Sequence, residues 1–155
     1  MLGISSNTNN ERGKEIYLIQ ITIDGKPNAK ERPYFSTKNG KVRVFTPSKT
    51  SNFENYVKQV ASPFFHYPIQ GPIELTINFF LPRPKYLIWK TKPMPFVYSD
   101  KRPDIDNLVK SVVDGLKGIA FFDDAQISIL HVTKGYHSGE EGPKTIIKIE
   151  TIINV

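Results

Sequence analysis

The sequence predicts a mixed α+β fold, with one mixed β-sheet and two main helices packed on it. Segments rich in β-branched and aromatic residues indicate strands, and two segments with apolar residues at helical spacing indicate the helices. The length of 155 residues suits one domain, and no repeat or linker divides the chain. We therefore expect a single domain over residues 15–155, preceded by a flexible polar tail over residues 1–14.

The predicted strands lie in the first quarter, the middle and the last fifth of the chain. IYLIQITI (residues 16–23) is closed by the turn Asp24-Gly25, and IELTINFFL follows Gly71-Pro72. ISILHVTKG and PKTIIKIETIINV are joined by a turn that contains glycine and glutamate. Between YFSTK and KVRVF, the pair Asn39-Gly40 is a strong signal for a hairpin.

Two helices are expected from the spacing of apolar residues. The first lies within SKTSNFENYVKQVASPFF and ends at Pro63. Its expected core-facing residues are Phe53, Tyr56, Val57 and Val60. The second begins near Asp106 or Asn107, either of which is a good N-cap. Its predicted apolar face consists of Leu108, Val109, Val112 and Leu116. Residues 82–103 are rich in proline and are predicted to form a long irregular loop.

Composition limits the possible functions without choosing one. The chain has no cysteine, which excludes disulfides and thiolate zinc sites and fits a reducing cytoplasm. No apolar stretch is long enough to span a membrane, and the first residues do not resemble a secretory signal. The net charge of +6 is compatible with a solvated surface or with a polyanionic partner such as DNA.

Acidic residues gather around the predicted second helix of this basic chain. Asp104 and Asp106 lie at its start, and Asp123-Asp124 follows its end. Carboxylates that converge repel one another unless a cation compensates, and Mg²⁺ with oxygen ligands is the usual cation. Chain length alone does not bring the two groups together, so the fold or a partner subunit must do so.

A structural explanation covers part of this pattern. Asp106 could simply cap the helix, and Lys110 and Asp114 could form an ordinary ion pair one turn apart. That explanation leaves Asp104 and the Asp123-Asp124 pair unexplained. In a metal site, Lys110 could stabilise the negative charge that develops on phosphate. Other motifs fail: the chain has no calcium loop, phosphate-binding loop, dinucleotide fingerprint or zinc spacing.

PDIDNLVKSVVDGLKG followed by FFDDAQI resembles the motif of the RusA family of Holliday-junction resolvases, and GKPNAKERPYF with GKVRVFTPSKTSNFENYV resembles its amino-terminal half. The resemblance implies a RusA-like fold and a homodimeric endonuclease that nicks four-way DNA junctions with Mg²⁺ or Mn²⁺. By motif position, Asp104, Asp106 and Asp124 would bind metal and Lys110 would be the essential lysine. Asp123 and Asp114 are additional candidate ligands.

Basic residues around the hairpin, interleaved with aromatic residues, suit contact with a DNA backbone, although any exposed hairpin looks similar. The expected DNA contacts are Lys30, Arg32, Lys41, Arg43 and Arg102. Two alternatives stay open: a branched-DNA-binding module without turnover, and a related nuclease that acts on forks, flaps or RNA.

Overall fold

A computed structural model describes residues 4–9 and 15–154. In chain order its elements are β1 (Ile4–Asn9), β2 (Glu15–Asp24), β3 (Tyr34–Lys38), β4 (Lys41–Phe45), α1 (Ser48–Ala61), β5 (Ile73–Leu81), β6 (Val97–Tyr98), α2 (Ile105–Leu116), β7 (Ile127–Tyr136) and β8 (Lys144–Thr151). The strand β1 falls within the segment that was predicted to be a flexible tail, and all six of its residues pair with β2. Residues 1–3 and 10–14 lie outside the described part.

Six strands form one sheet in the order β1-β2-β8-β5-β7-β6, while β3 and β4 form a separate hairpin. All neighbouring strands of the large sheet are antiparallel except β5 and β7, which run parallel. A parallel pair requires a crossover connection, and residues 82–126 supply it. The segment with both acidic pairs is therefore this crossover, and the prediction of one mixed sheet with two main helices is confirmed.

The core lies between one face of the sheet and the two helices. Side chains along β5 alternate between buried and half-buried positions, as expected for a strand with one covered face. The core combines sheet residues with residues from both helices: Ile21, Leu75, Ile77, Phe79, Ile147, Ile149, Phe53, Val57, Leu108, Val112 and Leu116. Most of the predicted apolar faces are confirmed. Tyr56 is exposed, because it lies at the border of the buried stripe of α1.

The proline-rich segment 82–103 is less irregular than predicted. It contains a 3-10 turn (Lys85–Leu87) and the short strand β6, which pairs with the end of β7. The buried Arg83 holds it in place by donating to the backbone oxygens of Leu87 (2.8 Å), Pro95 (2.7 Å) and His137 (2.9 Å). The crossover therefore enters α2 from a loop that is tied to the sheet. Across the described chain, we find no helix with the length and apolarity to span a bilayer.

The helices α1 and α2 approach closely at Gly115. A Cβ atom at this position would lie 2.9 Å from the backbone oxygen of Glu54 and 2.9 Å from Cβ of Val57. Both neighbours are backbone or near-backbone atoms, which cannot move away by a simple rotation of a side chain. A glycine is therefore required for this helix contact.

We expect Gly115→Ala to destabilise the protein by about 1–2 kcal/mol, since overpacking outweighs the better helix propensity of alanine. Urea denaturation would measure the change in the free energy of unfolding. Gly142→Ala is the matched control, because a Cβ there would meet nothing within 4 Å. Equal stability of the two variants would contradict the close helix contact.

Candidate functional site

Asp104 is the N-cap residue of α2, two or three residues earlier than the Asp106 or Asn107 that the sequence suggested. Its side chain is exposed and makes no capping hydrogen bond, and only its backbone oxygen accepts from the Leu108 amide, at 3.1 Å. Asp106 lies in the first turn and is also exposed. Capping therefore does not explain the carboxylate of Asp104. The N-terminal end of the helix nevertheless favours both negative charges.

The backbone just before Asp104 is held by Lys134 of β7. The Lys134 ammonium donates to the backbone oxygens of Lys101 (2.7 Å) and Pro103 (2.9 Å). This contact ties the start of α2 to the neighbouring strand. No sequence signal identified Lys134, since its two acceptors are backbone atoms roughly 30 residues away in the chain.

Lys110 follows Asp106 by one helical turn and is exposed. At this spacing it projects from the same side of α2 as Asp106. Arg102 is also exposed and precedes the helix by three residues. The N-terminal end of α2 thus presents two exposed carboxylates together with two exposed bases.

Asp114 belongs to a different, half-buried cluster. Its carboxylate accepts a hydrogen bond from the ammonium of Lys30, which also lies 3.5 Å from Glu54 of α1. The hydrogen bond to Asp114 is the largest cause of a raised pKa for Lys30, and burial opposes it. Lys30 and Asp114, predicted as a DNA contact and a candidate metal ligand, are thus paired with each other.

This cluster also fixes the segment that leads to the hairpin. The Lys30 amide donates to the backbone oxygen of Asn107 (2.9 Å), and the Ser111 hydroxyl donates to that of Asn28 (2.6 Å). From residue 28 to residue 30 the chain therefore runs along α2 toward the acidic N-terminal end. The other predicted DNA contacts in this region, Arg32, Lys41 and Arg43, are exposed.

The second acidic pair lies at the opposite end of α2, and both of its carboxylates face Lys117. The Lys117 ammonium is 3.4 Å from Asp123 and 3.6 Å from Asp124. Asp123 also accepts from the Ala125 amide at 2.9 Å, which is the largest cause of its lowered pKa, while Asp123 in turn raises the pKa of Lys117. Asp123 therefore has a structural role as the N-cap of a short 3-10 turn (Asp124–Gln126).

Gln126 holds this acidic turn against the segment that leads into β5. Its side-chain oxygen accepts from the amides of Phe122 (2.8 Å) and Asp123 (3.0 Å). Its side-chain nitrogen donates to the backbone oxygens of Ile69 (2.8 Å) and Gly71 (2.9 Å). The sequence motif contained this glutamine, but only the structure shows that it orients the turn.

The two acidic groups do not converge within one chain. The twelve residues of α2 span roughly 18 Å at 1.5 Å per residue, and Asp124 lies beside Lys117, just past the last residue of the helix. Among the residues that the structure describes, no three acidic, histidine or cysteine side chains form a group able to hold a metal ion. Asp104 and Asp106 thus share one end of the helix, and Asp124 lies at the other.

The fold and site define a single-domain α+β protein with carboxylates at both ends of its crossover helix and bases beside them. In comparison with known proteins, the sequence matches the family of endodeoxyribonuclease RusA over residues 24–150. It is also 34% identical over 142 residues to the uncharacterized protein YqaN of Bacillus subtilis (strain 168), covering 86% of this chain and 96% of that protein. The chain belongs to the RusA family of endodeoxyribonucleases. The matched range includes every candidate site residue from Lys30 to Asp124.

The ion pairs of Lys30 yield a pH-dependent prediction. Because its pKa is raised above the usual 10.5, the pairing stabilises the fold fully below that pH and is lost as pH rises through the higher folded value. We therefore expect Lys30→Met to be less stable than the wild type near pH 8, and the difference to shrink as the pH rises past 10.5. Urea denaturation at both pH values measures this difference.

Lys38→Met serves as the control, because Lys38 lies exposed on the hairpin. Its effect on stability should be small at both pH values. A stability difference between the wild type and Lys30→Met that is the same at both pH values would contradict the assigned pairing.

Proposed function

We propose that this protein is a metal-dependent, structure-selective endodeoxyribonuclease that resolves four-way (Holliday) DNA junctions by paired symmetric nicks in recombination and repair. One observation carries this proposal: Asp104 occupies the N-cap of α2 but leaves its exposed carboxylate uncapped. The carboxylate is therefore available to a ligand, beside the exposed Asp106, Lys110 and Arg102. We expect the protein to act in the cytoplasm, where a chain without cysteine is at home and DNA is accessible.

Mg²⁺ suits the donors that α2 presents, and Mn²⁺ would accept the same ones. Mg²⁺ binds oxygen, commonly through one or two carboxylates with water and substrate phosphate completing its shell. Asp104 and Asp106 supply two exposed carboxylates, and Asp124 is the third proposed ligand. When bound, the metal would activate water and neutralise charge on the phosphate.

The basic residues would act directly on the DNA. Lys110, one turn from Asp106, would donate to a phosphate oxygen and stabilise the charge that develops there. Arg102, Arg32, Lys41 and Arg43 would hold the backbone on either side of the cut, which makes binding steeply dependent on salt. Lys30 would contribute less, because Asp114 and Glu54 already compensate its charge.

A second copy of the chain would complete the site. The outer edge of β7 is unpaired over residues 127–133 in the described structure, and Ile129 and Leu130 are exposed there. One end of β7 adjoins the Asp124 turn, and the other end, through Lys134, adjoins Asp104. A two-fold axis at the middle of this edge would bring Asp124 of each chain toward Asp104 of its partner. A homodimer would then carry two sites for the two strands of a junction.

The separation of the acidic groups also favours a second candidate function. A chain that never brings three carboxylates together could bind branched DNA without cutting it. The presence of Asp104, Asp106, Lys110 and Asp124 argues for turnover, and an activity assay distinguishes the two functions.

Cleavage of a labelled synthetic four-way junction tests the proposal directly. We expect the wild type with Mg²⁺ to give paired symmetric nicks, and neither EDTA-treated protein nor Asp104→Asn to do so. Asp104→Asn should lower the rate by at least about 100-fold, since it removes a metal ligand, while junction affinity is retained. Denaturing gels measure the nicks, and a gel-shift assay measures the affinity.

Asp100→Asn is a matched control, because it removes an exposed carboxylate nearby in the same loop. It should cleave like the wild type. Tight junction binding without nicks in Mg²⁺ or Mn²⁺ would instead establish the binding module. Cleavage of fork or flap controls alone would retain the chemistry but reject the four-way junction as the substrate.

A further inference from the structure

The hairpin of β3 and β4 exposes every one of its side chains, including large apolar ones. Its turn residues Asn39 and Gly40 have φ angles of 54° and 71°, as the tightest hairpin turns require. Phe35, Val42 and Val44 are 72%, 65% and 60% exposed. Exposed apolar residues concentrated on one small element are typical of a binding surface.

The strand register divides the hairpin into two unlike faces. Phe35 pairs with Val44 and Thr37 pairs with Val42, so these residues form an apolar face. The opposite face carries an aromatic stack and the bases: Tyr34, Phe45, Ser36, Arg43, Lys38 and Lys41. The ring centroids of the stack are 5.4 Å apart. The basic face suits a phosphate backbone, but the apolar face has no such use.

The base of the hairpin is anchored beside the acidic end of α2. The Glu31 amide donates to the hydroxyl of the buried Thr50, at 3.1 Å, and this contact joins the two ends of the hairpin segment. One residue earlier, the Lys30 amide is bonded to the backbone of Asn107. The hairpin therefore projects from a fixed point near Asp104 and Asp106.

The positive charge of the hairpin and its flanking residues indicates what kind of partner the hairpin binds. Residues 32–53 contain five bases and no acid: Arg32, Lys38, Lys41, Arg43 and Lys49. Two hairpins packed against each other would bring these charges together, so a second copy of the chain is disfavoured. A polyanion with accessible apolar surface fits both faces. Branched DNA has this character, because bases at a branch can unstack and offer flat apolar faces.

We propose that the β3–β4 hairpin is a wedge that recognises the branch point, with its basic face on phosphates and its apolar face against unstacked bases. This inference rests on the proposed function, since it takes branched DNA as the ligand. It assigns the preference for a branch over plain duplex to Phe35, Val42 and Val44. The candidate metal-binding residues on α2, Asp104 and Asp106, would not contribute to that preference.

Two double variants separate the roles of the faces. Phe35→Ser with Val44→Ser should weaken binding to a four-way junction roughly tenfold or more, as expected for the loss of base stacking. Its affinity for linear duplex should stay unchanged. Lys41→Gln with Arg43→Gln should weaken binding to the junction and to the duplex by a similar factor. It should also reduce the slope of log affinity against log salt by the equivalent of about two phosphate contacts. Fluorescence anisotropy with both ligands measures these affinities.

A 2-aminopurine base at the branch reports unstacking directly. The wild type and the Lys41/Arg43 variant at saturation should raise its fluorescence, and the Phe35/Val44 variant should not. Tyr67→Ser is the control, because Tyr67 is 79% exposed on a loop outside the hairpin, and it should behave like the wild type. All of the hairpin side chains are exposed, so the thermal midpoint of each variant should match that of the wild type.

An equal loss of junction and duplex affinity in the Phe35/Val44 variant, or no loss, would overturn the wedge. So would sedimentation showing that this variant is monomeric while the wild type is a dimer, because a second copy would then cover the face. If either of these outcomes is found and the wild type still cuts junctions, the proposed role of the hairpin is wrong but the proposed function stands. If the wild type binds no DNA, the proposed function fails with it.

Discussion

The rigid length of α2 is the constraint on which the rest of the site depends. The helix is roughly 18 Å long, with Asp104 and Asp106 at its N-terminal end and Asp124 held beside Lys117 at its C-terminal end. The separation removes the repulsion that clustered carboxylates would impose on the folded chain. Each end then has its own local compensation. The N-terminal end has the favourable helix dipole, and the C-terminal pair has Lys117.

The same helix connects the core to the proposed DNA-binding surface. Leu108, Val112 and Leu116 fix it on the sheet, and Gly115 lets α1 approach it closely. Contacts from its other side hold the segment around Lys30 and so place the hairpin. Lys134 ties the segment before α2 to β7, and Gln126 ties the turn after α2 to the segment before β5. The bases and carboxylates therefore stand in a fixed relation although most of them are exposed.

Patterns within short segments predicted the fold well. The four long strands, both helices and the Asn39-Gly40 hairpin each follow from local periodicity or turn chemistry, which depend on neighbouring residues. Short elements without a local signal were missed. β6 has two residues, and its existence depends on pairing with β7. The cap of α2 was misplaced because Asp104, Asp106 and Asn107 are all good N-caps, and only the backbone chooses among them.

Contacts between distant segments could not be predicted from the sequence. Lys30 and Asp114 are 84 residues apart in the chain, so nothing local indicated that the expected DNA contact and the candidate metal ligand pair with each other. The same reason applies to Lys134 and to the orienting role of Gln126. The sequence did raise the question of how Asp124 reaches Asp104. The structure does not answer this question within one chain, because Asp104 and Asp124 lie at opposite ends of α2.

Complementation between two inactive variants tests the shared site most directly. Asp104→Asn and Asp124→Asn would be purified separately, shown to be inactive, then mixed and allowed to exchange subunits before junction cleavage is measured. If each site combines both chains, a mixed dimer keeps one intact set of carboxylates, and nicking should return at roughly one site in four. If subunits exchange but no activity returns, each site is built within one chain and the proposed arrangement is wrong.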